Sequence, residues 1–306
     1  MVTGSEINQE TAVAVSQIIQ TSPVAFGTSG ARGLVTDLTD QVCAAYTQAF
    51  IRVMASNGQV QRIALGMDYR PSSAAMVAAC AGAAKALGVE AEFFGVLPTP
   101  ALACYAMSQG IPAIMVTGSH IPFDRNGLKF YRPDGEISKG DEQAITECAS
   151  PLVASAAQHL DVRSDASDHY LARYLQFYPE KPLSGKRIGI YLHSSAGRAL
   201  YPRLFRELGA EVVELEPSDQ FVPIDTEAVS AEDRERGRQF AKAWQLDAVF
   251  STDGDGDRPL LADEYGNWLR GDVLCLLTAQ QLAVDALAVP VSCNSIIEKT
   301  NSFKKV

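Results

Sequence analysis

The chain has 306 residues, of which 47% are apolar and 20% are charged, and its formal net charge is −10. A chain of this length is expected to form about two domains, each able to bury a core without disulfides or metal ions. The acidic balance counts against nucleic acid as a ligand, because phosphate backbones select basic surfaces. A locally basic site can still bind a small anion.

Cysteine usage and the lack of long apolar runs bear on the compartment. None of the six cysteines forms a C-x-x-C pair, which is typical of buried free thiols in a reducing compartment. Residues 1–10 are polar and lack the apolar segment of a signal peptide. The apolar stretch 74–84 is too short to span a membrane. We therefore expect a cytoplasmic protein without a membrane partner.

In the first half of the chain, short apolar runs that suit strands alternate with residues at helical spacing. Asp40 is predicted to be the N-cap of a helix that ends at Asn57-Gly58. Further predicted elements are strands over 62–67, 91–95 and 112–116, a helix over 72–88, and a short helix after Pro98-Thr99-Pro100.

The alternation of strand and helix patterns resumes after residues 151–167. This stretch is rich in Ala, Ser and Asp and has no strand pattern, so we interpret it as a domain boundary. Ser230 and Asp233 resemble a capping box. The predicted elements are strands over 187–192, 211–215 and 247–250, helices over 197–208 and 230–244, a hairpin over 259–268, and a helix from 272 that ends before Pro290.

This pattern predicts an α/β protein of consecutive domains with mixed, mostly parallel sheets flanked by helices. We expect a first domain over 1–153, a second over 154–258, and the start of an incomplete third domain over 259–306.

A first polar motif, T-G-S-H-I-P at 117–122, follows a predicted strand, where open α/β sheets bind ligands. Asn126-Gly127 is predicted to form a turn that brings Lys129 back toward Ser119. A hydroxyl flanked by His120 and Lys129 suits nucleophilic or phosphoryl-carrying chemistry. Taken alone, the motif fits a structural polar loop somewhat better than a catalytic one.

A second motif, D-G-D-G-D-R, begins at Asp253. Carboxylates at Asp253, Asp255 and Asp257 can converge on one cation, because the intervening glycines let the backbone wrap around it. An all-carboxylate set favours magnesium or calcium over zinc.

A calcium EF-hand is the alternative for this motif, since Glu264 falls at the twelfth loop position. The sixth position, however, is Arg258 where the EF-hand needs glycine, and the preceding residues 247–250 are predicted to form a strand. These two features count against an EF-hand.

A third motif, F-G-T-S-G-A-R-G, covers residues 26–33. The loop at Thr28, Ser29 and Gly30 can present N–H and hydroxyl groups to an anion, and Arg32 can fork onto phosphate oxygens. The spacing matches neither common nucleotide-binding glycine motif, so nucleotide binding is not supported.

Together and in this order, the three motifs resemble the α-D-phosphohexomutase family, which includes phosphomannomutases and phosphoglucomutases. The resemblance implies that Ser119 is the phosphorylated residue. It also implies that Asp253, Asp255 and Asp257 bind one Mg²⁺ per chain, with a phosphate oxygen on Ser119 as a further ligand.

The resemblance assigns supporting roles to the remaining motif residues. His120 and Lys129 are similar to residues beside the phosphoserine, and Arg32 and Arg258 to residues that support phosphoryl transfer. The 28–30 loop is implied in substrate or phosphate binding. The implied reaction interconverts hexose 1-phosphate and 6-phosphate, of mannose first and glucose second, through a bisphosphorylated sugar.

The sequence departs from the family pattern in two respects. Ile121 stands where the family usually has Asn, which removes a polar group near Ser119. The third-domain sugar loop G-E-x-S-G-H and the fourth-domain phosphate loop are not found in this sequence. The residues around Glu298 do not match the sugar loop. We therefore expect a truncated, inactive or weakly active member of the family. The alternatives are a non-catalytic Mg²⁺-binding fragment and a phosphoglucosamine mutase.

Overall fold

The computed structural model describes residues 13–27, 30–56 and 58–306. The first part of the chain forms helices on a sheet. Its elements are α1 (Val15–Thr21), β1 (Ala25–Phe26), β2 (Ala31–Leu34), α2 (Asp40–Ala55), β3 (Arg62–Met67), α3 (Ser73–Ala86), β4 (Glu90–Val96), α4 (Thr99–Gln109), β5 (Ala113–Val116), β6 (Arg125–Arg132), β7 (Gly135–Glu136) and α5 (Lys139–Thr146).

Within the described residues, the first sheet has seven strands in the order β1-β2-β6-β5-β3-β4, with β7 beside β6. Strand β3 pairs in parallel with β4 and β5, and the other pairs are antiparallel. The sheet is thus mixed, as predicted, but not mostly parallel. The reason is that β6 returns directly from the end of β5 instead of crossing over through a helix.

The predicted turn at Asn126-Gly127 is wrong, because both residues lie inside β6. Gly127 faces Arg32 of β2 across the antiparallel ladder, and the Asn126 carboxamide donates to the hydroxyls of Ser72 and Ser73. The chain reverses earlier, between residues 121 and 124. Lys129 therefore reaches the site as a strand residue.

The second part of the chain forms a smaller α/β unit. Its elements are α6 (Asp165–Phe177), β8 (Arg187–His193), α7 (Tyr201–Glu207), β9 (Glu211–Pro217), α8 (Ala231–Trp244), β10 (Ala248–Thr252), β11 (Pro259–Ala262), α9 (Gly271–Gln281) and α10 (Ile296–Lys299). The sheet order is β11-β10-β8-β9, and only the β10/β11 pair is antiparallel. This sheet is mostly parallel, as predicted.

Residues 259–262 belong to the second sheet, although the sequence pattern placed a third unit from 259. Strand β11 pairs with β10 along four residues, from Val249↔Ala262 to Thr252↔Pro259. The predicted hairpin around Gly266 exists as a turn that returns Trp268 to a bridge with Ala262. Apolar residues of β11 are therefore buried against β10.

The segment 151–163 forms no strand of its own and lies along the first unit. The Gln48 carboxamide donates to the carbonyl oxygen of Val153 and accepts from its amide. At the far end, Arg163 forms an ion pair with the buried carboxylate of Glu92 at 2.7 Å. Both ends of this connection are thus fixed to the first sheet and its helices.

In the part of the chain that the structure describes, apolar side chains form three buried clusters, and one of them is shared by both sheets. That shared core includes Leu102 and Met115 from the first unit, and Tyr170, Ile190 and Leu204 from the second. A second cluster lies between the first sheet and helices α1 to α3 and α5, and a third lies between the second sheet and α8. The shared core joins the two units.

Two further observations bear on the sequence predictions. In the described part of the chain, no helix is both long and apolar enough to cross a membrane. All six cysteines are free, as predicted, but only Cys43 and Cys80 are buried and Cys275 is exposed.

Candidate active site

Ser119 lies just beyond the carboxyl end of β5 and is almost fully buried. Its backbone adopts a left-handed conformation with φ of 52°, which is uncommon for a residue with a Cβ. The Thr117 hydroxyl oxygen accepts from the Ser119 amide at 2.8 Å. Thr117 itself donates to the buried carboxylate of Asp68 at 2.8 Å. The loop that carries Ser119 is therefore fixed by the buried carboxylate of Asp68, the residue that follows β3.

The three aspartates of the D-G-D-G-D-R motif follow β10 and cluster at the same junction. One carboxylate oxygen from each lies within 4.8 Å of the others. Asp253 and Asp255 are fully buried, whereas Asp257 is exposed. The Ser119 hydroxyl donates to Asp253 Oδ2 at 2.7 Å. A residue of the first unit thus contacts the acidic cluster of the second directly.

Lys129 of β6 neutralises part of this cluster. Its buried ammonium donates to Asp255 Oδ2 at 2.7 Å and to Asp257 Oδ2 at 2.6 Å. Burial alone would lower the pKa of Lys129, but these two carboxylates outweigh it and raise the pKa above its ordinary value. The lysine therefore stays charged.

Burial acts to raise the pKa of both buried carboxyls, but the net shifts of Asp253 and Asp255 are opposite. Burial, together with the charges of Asp255 and Asp257, raises the pKa of Asp253 to about 8. Burial also acts to raise the pKa of Asp255, but Lys129 and the Thr99 hydroxyl outweigh it and lower that pKa. A bound cation would reduce the electrostatic repulsion between such closely spaced carboxylates.

The donor set fits a metal cation. Asp255 Oδ1 is buried and has no hydrogen-bond partner among the described residues, although the opposite oxygen of the same carboxylate accepts from Thr99 and Lys129. Three carboxyl groups face a single ammonium in this cluster. The three aspartates can therefore hold a metal ion, and oxygen ligands are those that hard divalent cations take.

Two other predicted residues border this cluster differently. His120 Nδ1 lies 3.4 Å from the Ser119 hydroxyl, so it is beside the serine as expected. The Arg258 side chain forms an ion pair with Glu227 at 3.0 Å, and its backbone amide donates to Asp253 Oδ1. The Arg258 guanidinium therefore pairs with a residue that lies outside the loop that carries Ser119.

The glycine-rich segment approaches the site from β2. Arg32 lies opposite Gly127 in the sheet, one strand away from β5. Gly30 has φ of 75°, and a Cβ there would lie 2.3 Å from the Leu128 carbonyl oxygen, so this position requires glycine. Thr28 and Ser29, which were predicted to contact phosphate, lie outside the described residues.

Three residues of the site were missed by the sequence analysis: Asp68, Arg70 and Thr99. Asp68 and Arg70 follow β3, and Thr99 begins α4 where its amide donates to the Asp255 backbone carbonyl at 2.8 Å. A usable signal existed, because β3 and β5 are adjacent parallel strands whose carboxyl ends meet at one edge. The rule that singled out Ser119 applies equally to residues 68–70.

The fold and site together define a two-unit α/β protein with a buried serine against three carboxylates. Comparison with known proteins gives this arrangement a family. The phosphoglucomutase/phosphomannomutase alpha/beta/alpha domain I matches residues 23–152, and domain II of the same family matches residues 168–266. These matches together cover more than half of the chain. The chain belongs to the phosphohexomutase family.

Individual relatives agree with this assignment. A phosphomannomutase from Salmonella muenchen is 57% identical over 289 residues, covering 94% of this chain and 60% of that protein. A phosphomannomutase from Sinorhizobium fredii is 44% identical over 291 residues, covering 92% and 61%. Proteins named phosphoglucosamine mutase match at 29–32% identity. The chain thus spans about 60% of the length of the curated relatives it matches.

A solved structure supports the fold. The crystal structure of a phosphoglucomutase/phosphomannomutase family protein from Burkholderia thailandensis matches with a TM-score of 0.76 at 22% identity. The match covers 96% of this chain and 66% of that chain.

Proposed function

We propose that this chain carries the phosphoserine and metal centre of an enzyme that interconverts hexose 1-phosphate and hexose 6-phosphate. The observation that carries the proposal is the 2.7 Å contact between the Ser119 hydroxyl and Asp253 Oδ2. It joins a nucleophile-bearing loop of one unit to a cation-binding carboxylate cluster of the other. Mannose phosphate is the first expected substrate and glucose phosphate the second. This order follows the greater similarity to relatives named phosphomannomutase.

In the proposed reaction, a sugar hydroxyl oxygen forms a bond to the phosphorus on Ser119 and loses its proton. The serine oxygen leaves with the bonding electron pair and takes up a proton. The bisphosphorylated sugar reorients. Ser119 then attacks the other phosphate, so the ester position on the sugar changes while the serine is rephosphorylated. Nothing is consumed in the cycle.

The residues of the site divide the work of this transfer. Asp253, Asp255 and Asp257 would hold the cation, which we propose is one Mg²⁺ per chain because the donor set is all carboxylate. When bound, the ion offsets negative charge on the transferred group. Lys129 places a buried positive charge between two of these carboxylates.

The flanking residues complete the proposal. His120 is within reach of the serine oxygen, where it can hold or move a proton. Arg32 and Arg258 are proposed to support phosphoryl transfer, and the 28–30 loop is proposed to bind the substrate or its phosphate. The proposed division of labour is a phosphoserine unit over 1–153 and a metal-binding unit that begins at 154.

The test is phosphate incorporation into the 306-residue chain. After incubation with a hexose 1,6-bisphosphate and Mg²⁺, intact-mass measurement is expected to show one added phosphoryl group in the unchanged chain and none in Ser119→Ala. The matched control is Ser184→Ala, since Ser184 is an exposed serine far along the chain from the site. Equal labelling of the Ser119→Ala chain, or no labelling of the unchanged chain, contradicts the proposal.

A coupled assay with mannose 1-phosphate separates this proposal from the non-catalytic alternative. Labelling at Ser119 with turnover supports a mutase. Labelling without turnover supports a chain that binds Mg²⁺ and carries phosphate but does not isomerise sugar by itself. Replacement of mannose 1-phosphate by glucosamine 1-phosphate tests the phosphoglucosamine mutase alternative.

A further inference from the structure

Arg70 is a buried arginine that the proposed reaction does not use, yet it binds the loop that carries Ser119. Its guanidinium donates to the carbonyl oxygens of Ser119 at 2.9 Å, Pro122 at 2.7 Å and Arg125 at 2.9 Å, and also to that of Ile121. One side chain thus serves four carbonyl groups in a seven-residue loop. The Arg70 residue is only 2% exposed.

The charge of Arg70 is balanced within the first unit. Arg70 Nε lies 3.2 Å from Asp68 Oδ2, and the Arg70 amide donates to Asp68 Oδ1. The same carboxylate accepts from the Thr117 hydroxyl and the Gly118 amide. Asp68 and Arg70 therefore bind the donors and the acceptors of the serine loop, respectively.

The outer face of the guanidinium is covered by the second unit. The ring centroid of Phe221 lies 4.1 Å from the Arg70 guanidinium carbon. A parallel contact lies beside it, where the Arg198 guanidinium stacks 3.9 Å from the ring of Tyr69. The turn at residues 68–70 is thus clamped from the side that also supplies the aspartate cluster.

We propose that Arg70 is a positioning residue that sets the left-handed backbone of Ser119, and that Phe221 holds its guanidinium in place. Four carbonyl oxygens that converge on one planar fork cannot be served by a lysine, which offers a single compact ammonium. When the loop is released, the serine oxygen loses its fixed distance to Asp253. Because phosphoryl transfer depends on alignment, a shift of about 1 Å can reduce its rate about 100-fold.

The first test follows the loop without requiring any reaction, by hydrogen exchange in the 306-residue chain. In Arg70→Lys, amides over 117–125 are expected to exchange at least about 10-fold faster than in the unchanged chain, whereas β5 keeps its protection. The matched control is Arg62→Lys, since Arg62 also pairs with a buried carboxylate, Glu92, but at the opposite end of β3. Unchanged exchange in the loop overturns the proposal.

The second test rests on the proposed function and measures the rate at which Ser119 is phosphorylated by a hexose 1,6-bisphosphate. Arg70→Lys is expected to lower the maximal rate about 100-fold with less than about a threefold change in the half-saturating concentration. Phe221→Leu, which keeps an apolar contact but removes the ring, is expected to lower the rate about 5- to 10-fold. An unchanged maximal rate in Arg70→Lys contradicts the inference.

The two tests separate the inference from the proposed function. If the unchanged chain takes up no phosphate, the proposed function fails and hydrogen exchange alone decides the role of Arg70. If Ser119 is phosphorylated equally fast in the unchanged chain and Arg70→Lys, the function stands and the positioning role fails. If Arg70→Lys does not fold, the Phe221→Leu chain provides both measurements.

Discussion

Ser119 is held in a backbone conformation that its side chain disfavours. A left-handed residue with a Cβ costs on the order of 1–3 kcal/mol, and the positive φ of 52° persists only because the surroundings fix it. The Thr117 hydroxyl binds its amide and Arg70 binds its carbonyl group. Both polar groups of the serine backbone are thus held, which leaves the hydroxyl as the group directed at Asp253.

His193 offers a prediction about pH at the residue scale. It is fully buried, and burial lowers its pKa to about 4, whereas an unfolded histidine has a pKa of about 6.5. As the pH falls through 6.5, the unfolded chain takes up a proton that the folded chain excludes. Between about pH 7.5 and pH 5, this residue is expected to remove about 1–2 kcal/mol of the free energy of unfolding.

Urea unfolding at both pH values checks this expectation against His193→Asn. Asparagine does not titrate, and its shorter side chain also gives up the contact between His193 Nε2 and the Thr252 carbonyl oxygen at 2.9 Å. It also tolerates the positive φ of 30° at this position. The variant is expected to lose less stability on acidification than the unchanged chain. An equal loss in both chains would show that His193 is not the source.

At the scale of elements, the start of α2 distinguishes two neighbouring residues. The sequence pattern placed the N-cap at Asp40, but the structure places it at Thr39, whose hydroxyl oxygen accepts from the Val42 amide at 3.3 Å. Asp40 is instead the first helical residue. A side chain one position further along the helix cannot accept from the backbone N–H groups to which the N-cap side chain bonds.

This difference is measurable by mutation. Thr39→Ala removes the capping oxygen and is expected to lower the free energy of unfolding by about 1 kcal/mol. Asp40→Ala is the matched control, since it removes only a favourable charge near the helix N-terminus, worth about 0.3–1 kcal/mol at low salt. Urea unfolding in high salt separates the two, because only the charge effect is screened. A larger loss for Asp40→Ala in high salt contradicts the assignment.

Local patterns predicted most elements but not how adjacent strands pair. The cap at Ser230 was predicted correctly, because its hydroxyl and the Asp233 amide are near in sequence. The prediction of a turn at Asn126-Gly127 was wrong. An Asn-Gly pair commonly forms a turn, but here both residues lie in β6, whose pairing with β2 and β5 depends on residues distant in sequence. The membership of β11 in the second sheet is long-range for the same reason.

The spatial proximity of the candidate residues followed from the sequence where they fall within compact motifs, and their roles stay predictions. Ser119 and the three aspartates come together as the resemblance implied. Arg70 was missed because its role depends on four carbonyl groups in a loop about 50 residues away, and backbone acceptors carry no sequence signal. Arg258 was predicted from the motif alone, which cannot reveal the pairing of its side chain with Glu227.

At the scale of the whole molecule, metal binding is expected to stabilise the fold. A ligand that binds only the folded chain adds about 2.7 kcal/mol at a concentration of 100 Kd. Saturating Mg²⁺ is therefore expected to raise the melting temperature of the unchanged chain, and EDTA to reverse the rise. Asp253→Asn, which removes one charge from the carboxylate cluster, is expected to lose most of this response.

The control for this measurement is Asp161→Asn, since Asp161 is exposed and lies in the connecting segment. It is expected to keep the full response to Mg²⁺. An equal rise in melting temperature for Asp253→Asn and the unchanged chain would place the responding ion elsewhere.

The shared apolar core has a consequence for how the site tolerates changes of charge. Ser119 and the aspartate cluster belong to different sheets, but the packing of Met115, Tyr170 and Ile190 between those sheets is indifferent to charge. Adding or removing two negative charges at the serine therefore leaves intact the contacts that hold the sheets together. The spacing between serine and carboxylates is built into apolar packing, so the same scaffold would serve the free serine and the phosphorylated serine proposed above.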